Sequence, residues 1–212
     1  MVTRVFKRRS DIHLARKSWH MLGVVSMEII YQRVSKETAI ILLLATMLIF
    51  VVPDIIRQYS SKLNDIFVGM FHIVIRENEV NKLSGNSYLL SGVLMIVLLF
   101  PAKVVSLTLL FLAFADPIAS CIGIIYGKDK ILGQKSLQGF IAAFGVCTLA
   151  TCGFLYAHSI LVDRIIVVSL LAGIIGAFSE LIPIGKLDDN LTLPLLSASG
   201  LFLLFRLFGA AI

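Results

Sequence analysis

Long apolar runs alternate with short polar connections along the whole chain. The first, SWHMLGVVSMEIIYQ, is only moderately apolar and carries His20 and Glu28. The clearest is TAIILLLATMLIFVV (38–52), and Pro53, which lacks the N–H for a further turn, is expected to end it. Further runs follow at 87–100, 103–126, 138–157, 165–182 and 191–209. Their length and continuity suit helices, which satisfy their own backbone in lipid. Several fall short of the roughly 20 residues that a hydrocarbon core needs. The pattern predicts an all-α, polytopic integral membrane protein of about seven transmembrane helices, a single domain over 1–212 with no internal repeat. Asp116-Pro117 lies inside the fourth run, where the helix could part into two half-helices. Residues 54–86 are mixed, and LNDIFVGMFHIVI within them reads as an amphipathic helix lying in the interface.

Composition strengthens the membrane reading. Hydrophobic residues make up 58% and charged residues 15% of the 212, against roughly 45–50% and about 25% in a soluble domain. The mean hydropathy is +0.94. The basic start is followed by a mixed stretch with no small-residue cleavage site, so no secretory signal is expected. The net charge of +6 points to loops facing anionic lipid and not to nucleic acid. With the N-terminus in the cytoplasm and seven crossings, 14 of the 19 Lys and Arg fall inside. Arg33, Lys36, Lys103, Arg164 and Arg206 fall outside, a bias that favours this orientation. Residues 1–17 are then a basic cytoplasmic segment and 54–86 a cytoplasmic or interfacial one. The same topology collects RKSWH, the loop after the Asp116 helix and KLDDN on the cytoplasmic side. The compact chain leans towards a bacterial inner membrane, with the endoplasmic reticulum the setting in a eukaryote. Cys121, Cys147 and Cys152 lie in apolar runs without metal spacing and read as small core residues.

Four features could carry chemistry. Asp116, Ser120, Gly123 and Gly127 share one helical face, and glycines there let a ligand or another helix come close. An ionised aspartate in a span costs about 2.5–3.5 kcal/mol on insertion scales, so it calls for a polar cavity or a partner. A plainer role is to cap a half-helix starting at Pro117. GKDKILGQKS then sets Lys128, Lys130, Lys135 and Ser136 among glycines, as a phosphate cradle does, although its spacing is not that of a Walker A loop. A positive cytoplasmic loop explains it equally. In SELIPIGKLDDNLTLPL, Glu180, Asp188, Asp189 and Asn190 are oxygen ligands of the kind Mg²⁺ shares with nucleotide phosphates, or else a turn with Asp189 or Asn190 as helix cap. Lys17, His20 and Glu28 fall within about 80° around a helix axis, where Lys and His also commonly anchor at an interface. His13, His72 and His158 have no companion group and receive no role.

Taken in order, these features resemble the CTP-dependent lipid-alcohol kinases, a family that includes dolichol kinase, phytol kinase and the CTP-using diacylglycerol kinase of yeast. The likeness runs from about residue 16 to 196. It rests on Arg16, Lys17 and His20; on Asp116 leading into Ala119, Ser120, Gly123 and Gly127; on Lys135-Ser136; and on Glu180 followed by Asp188, Asp189, Asn190 and Pro194. RENEVNKLSGNSYLL is similar more loosely, through Arg76, Glu79, Gly85 and Tyr88. Ala115 stands where many members have Gly, and Gln138-Gly139-Phe140 where Glu-Gly-Ser is usual.

The resemblance implies transfer of the γ-phosphate of CTP to the hydroxyl of a membrane lipid alcohol, diacylglycerol, polyprenol or phytol-like. It implies Mg²⁺ on Asp116, Glu180, Asp188, Asp189 and Asn190. Ser120, Gly123, Gly127, Lys128, Lys135 and Ser136 would then contact nucleotide, and Arg76, Glu79 and Asn86 the acceptor. Asp116, Lys17, His20 and Glu180 would be catalytic, with the general base a carboxylate or His20. Such chemistry asks for alignment and charge more than for covalent participation. Two other readings stand beside it. A phosphatidate cytidylyltransferase would release pyrophosphate and form a CDP-lipid. An ion-coupled carrier would also set Asp116, Glu28 and Glu180 in the membrane, but calls for inverted repeats, which the sequence lacks.

Overall fold

The computed structural model describes residues 13–185 and 187–210. Lys186 and most of the basic N-terminal segment lie outside the described residues. The chain is mostly helical: α1 Leu14–Tyr31, α2 Lys36–Ile56, α3 Ser61–Phe71, α4 Gly85–Leu99, α5 Ala102–Leu110, α6 Asp116–Ile125, α7 Leu137–Ala157, α8 Ile165–Leu181 and α9 Asp189–Leu207. Among the described residues, five stretches are long and apolar enough to cross a membrane: Lys36–Tyr59, Ala102–Ile125, Leu137–Ala157, Val162–Leu181 and Asp189–Leu207. The apolar α4 is shorter, and α1 carries Arg16, Lys17 and Glu28.

The segment α5–α6 is the central pillar. Val104, Val105, Leu107, Leu109, Phe111 and Leu112 along it are all at most 1% exposed. Around it pack α1, α4, α7, α8 and α9, and the outer faces carry the exposed apolar side chains that suit lipid, such as Ile41, Leu149, Ile166 and Leu203. Cys147 is buried in this core, and Cys121 and Cys152 are partly buried free thiols. The amphipathic α3 buries Val68 and exposes Leu63, Ile66 and Met70; the following His72–Ile75 is not helical.

Three local expectations are corrected. Pro53 does not end its helix: α2 runs through it to Ile56. The residues gained, Asp54 and the adjoining Arg57, form a buried ion pair of 2.6 Å. Arg57 also donates to the carbonyls of Glu79, Val80 and Lys82, at 2.9, 2.8 and 2.6 Å. Asp54 accepts from the Ser84 N–H at 2.8 Å and from the Ser84 and Ser87 hydroxyls. A buried charge pair stabilises only when its remaining hydrogen-bonding groups are satisfied, and here they fasten the mixed segment to the end of α2.

The Asp116 helix does not part in two. Phe111–Ala115 forms a π-turn that leads continuously into α6. Finally, the GKDKILGQKS stretch is a short antiparallel hairpin, β1 Lys130–Leu132 with β2 Lys135–Ser136. Gly133 at φ +57° supplies the left-handed residue that a two-residue turn requires.

Candidate active site

A cavity of about 280 Å³ opens where α1, α6, the hairpin, α7, α8 and α9 meet. Among the residues that sequence reasoning proposed, Lys17, His20, Arg76, Asp116, Ser120 and Gly123 line it. So do Lys135, Ser136, Glu180, Asp188, Asp189 and Asn190. Glu79 and Asn86 line a second, smaller cavity beside it. Gly127 and Lys128 line neither; Lys128 is exposed. A Cβ on Gly127 would run into the Gly123 carbonyl and sit 2.6 Å from Ser136 Oγ. Its lack of a side chain therefore serves hairpin packing. Gly123 and Gly139 likewise face each other across the close approach of α6 and α7.

The π-turn explains how α1 is held. In such a turn a carbonyl reaches the N–H five residues ahead; for Leu112 that residue is Pro117, which has none. His20 Nε2 lies 2.9 Å from the Leu112 carbonyl, so Nε2 carries the hydrogen and donates it. Lys17 Nζ donates to the Pro117 carbonyl at 3.2 Å. Asp116 lies nine residues before the end of α6, about 14 Å down the helix axis. It caps nothing: residue 115 holds the cap position, without a side-chain bond. Its Oδ2 stands 4.0 Å from His20 Nε2, and among the described residues no side chain donates a hydrogen bond to it.

Lys135 is fully engaged. Its ammonium donates to Glu180 Oε1 at 2.7 Å and to the Glu180 carbonyl at 2.6 Å, and forms an ion pair with Asp189 Oδ2 at 3.2 Å. Burial disfavours its charge, but Glu180, Asp189 and Asp116 together outweigh that and hold its pKa above the ordinary value. In this conformation Lys135 neutralises two carboxylates and ties β2 to α8 and α9. Arg16, Lys17, Arg76 and Lys130 also line the cavity.

The acidic cluster is correspondingly narrower than the metal set read from sequence. Among the described residues no three His, Cys, Asp or Glu side chains converge to hold a metal ion. Glu180 and Asp189 are occupied by Lys135. Asp188 is the N-cap of α9, accepting from the Asn190 N–H at 3.0 Å; burial pushes its pKa up. Asn190 Nδ2 donates to the Gly85 carbonyl at 3.1 Å. Mg²⁺ in nucleotide enzymes needs only one or two carboxylates besides the phosphates, and Asp116 fits that role.

Ser136 is buried at the N-cap of α7, its hydroxyl accepting from the Gly139 N–H at 3.2 Å. Gln138 does not line the cavity: it donates to Asp129 Oδ2 at 2.7 Å and locks the hairpin. Glu79 accepts from Arg16 Nη1 at 2.7 Å and from the Arg76 N–H at 3.1 Å, so it orients Arg16. Glu28 lies away from the cavity, accepting from Gln32 Nε2.

Sequence reasoning gave no role to His13 or Gln134, both of which line the cavity beside Lys130 of the expected phosphate cradle, nor to the Asp54–Arg57 pair. The Asp-x-x-Arg spacing after Pro53 was the available signal for the pair.

The chain is 31% identical over 162 residues to CTP-dependent diacylglycerol kinase 1 of Schizosaccharomyces pombe, covering 71% of this chain and 74% of that protein. It is 26% identical over 206 residues to the protein of the same name from Saccharomyces cerevisiae, covering 87% and 71%. With that of Eremothecium gossypii it shares 28% over 165 residues, covering 68% and 52%. No family model and no solved structure matches. The chain belongs to the CTP-dependent lipid kinase family.

Proposed function

We propose that this protein transfers the γ-phosphate of CTP to the hydroxyl of a membrane lipid alcohol, diacylglycerol being the acceptor that its relatives' names favour. The observation that carries the reading is the cavity itself, which Arg16, Lys17 and Lys130 line together with Asp116, a residue well before the end of α6. A lipid hydroxyl cannot travel far from its bilayer, so the charged groups must reach down to it.

The phosphates sit against Arg16, Lys17 and Lys130 and the positive end of α7. The ion pairs of Lys135 keep Glu180 and Asp189 from repelling them. Asp116 would hold Mg²⁺, which when bound supplies further charge for the phosphates. The lipid oxygen forms a bond to the γ-phosphorus while the bond from that phosphorus to the β–γ bridging oxygen breaks. The electron pair of the broken bond leaves with CDP, and the hydroxyl proton goes to His20 Nδ1. That atom is the base because Nε2–H is committed to the Leu112 carbonyl, which leaves Nδ1 unprotonated in the neutral ring.

The reading includes seven crossings, α1 and α4 joining the five apolar spans, and a cytoplasmic cavity mouth. Two things support it: the starts of α1, α4, α7 and α9 meet the ends of α2, α6 and α8 at one end of the bundle, and the basic residues are biased to that end.

The test is purified protein with γ-labelled CTP or ATP and a panel of lipid alcohols. Label in diacylglycerol, from CTP above ATP, is expected. Label in no lipid, or a CDP-lipid with pyrophosphate release, overturns the reading.

A further inference from the structure

A second cavity, of about 180 Å³, adjoins the first. Much of its wall is apolar: Trp19, Gly23 and Met27 from α1, Phe50 from α2, Phe67 from α3 and Leu89 from α4. Polar groups, Glu79, Ser84 and Asn86 among them, join this wall, and Arg16, His20 and Asn190 line both cavities. Resting on the kinase reading above, we propose that this pocket holds the hydrocarbon next to the hydroxyl of the diacylglycerol acceptor and presents that hydroxyl to the first cavity beside His20.

Three observations argue for this occupant. The pocket shares Arg16, His20 and Asn190 with the charged cavity, so what fills it has its polar end beside the reacting groups. Its aromatic and aliphatic side chains offer a hydrocarbon chain the apolar contact that the first cavity does not. It is flanked by α3, an amphipathic helix whose exposed face carries Leu63, Ile66 and Met70, as suits the level at which diacylglycerol lies. Pockets that enclose a drug-sized ligand run from about 300 Å³ upward. At about 180 Å³ this one takes only the part of the lipid nearest the hydroxyl, and the tails stay in the bilayer.

Gly23 makes the pocket testable. A Cβ built there meets nothing within 4 Å, and the residue lies inside α1. A Cβ there therefore enters the pocket without displacing a neighbour, and a larger side chain takes up its space. Gly23→Leu and the milder Gly23→Ala are made in the full chain. Initial rates give KM for diacylglycerol in mixed micelles, KM for CTP, and kcat. A diacylglycerol bearing a photoreactive diazirine near the glycerol is crosslinked in parallel. Gly23→Leu is expected to lower kcat/KM for the lipid at least tenfold with KM for CTP changed less than twofold, and Gly23→Ala to fall between. Crosslinks are expected on α1–α3 peptides around Met27 and Phe50, competed by unlabelled diacylglycerol and lost in Gly23→Leu. An unchanged lipid kcat/KM in Gly23→Leu, or crosslinks that neither compete nor respond to it, overturns the proposal. The crosslinking arm needs no CTP, so it decides the pocket even where label transfer fails and the kinase reading falls.

Discussion

His20 Nε2 and the carbonyl oxygen of Leu112, 92 residues apart, lie 2.9 Å from each other. One contact thus fixes the depth of α1 against the pillar, the tautomer of a histidine between two cavities, and the position of Asp116 four residues on. Pro117 creates the unpaired carbonyl that makes it possible.

His20→Gln keeps a donor for Leu112 and removes the base. If His20 Nδ1 takes the hydroxyl proton, kcat should fall by about 10²–10⁴-fold with KM for CTP little changed, and imidazole should partly restore His20→Ala. Near-normal turnover in His20→Gln would leave His20 a positioning residue only.

Lys135 carries two carboxylates, with side-chain exposures of 20% for Lys135 and 5% for Glu180. Removing one partner of a buried pair costs about 3–5 kcal/mol, so Lys135→Met should unfold at markedly lower temperature, and Lys135→Met/Glu180→Gln should recover part of the loss. Because the folded-state pKa of Lys135 is raised above 10.5, its contribution is complete below that pH. It should disappear only as pH climbs through the higher folded value. A melting curve of the detergent-solubilised protein against pH checks the sign: loss of this contribution at neutral pH contradicts it.

Asp188 behaves oppositely. Its pKa is raised from 3.8 mainly by burial, so its charge is a cost at neutral pH that vanishes as pH falls through the raised value towards 3.8. Asparagine can still accept the Asn190 N–H and caps helices about as well. Asp188→Asn should therefore melt no lower than the parent at pH 7, with any advantage shrinking on acidification. A gap that widens in acid would show the carboxylate to be stabilising.

Much of the bundle was legible because lipid leaves the sequence little freedom. Runs such as 138–157 and 165–182 must be apolar throughout and helical, and α7 and α8 coincide with them within a residue. What escaped depends on partners far away in the chain. Pro53 reads as a stop until the Asp54–Arg57 pair it leads into is seen to bind residues 79–87. Gly127 reads as a ligand glycine until Ser136 fills its space. Lys135 reads as a phosphate lysine, and only the folded chain brings Glu180 and Asp189 to its ammonium. The hairpin was hidden by its length, too short to alternate.

The central claim is that Asp116 serves transfer of the terminal phosphate of CTP to lipid. CTP labelled at both the γ-phosphate and the cytosine ring, given with diacylglycerol to purified parent and Asp116→Asn protein, tests it most directly. The parent should put γ-label and no cytosine label into the lipid fraction. Asp116→Asn, inserted and folded as the parent, should lose at least about 10²-fold of that rate, in the range seen when a single preorganised charge-stabilising group is removed. Cytosine label in the lipid, or undiminished transfer by Asp116→Asn, would contradict the account.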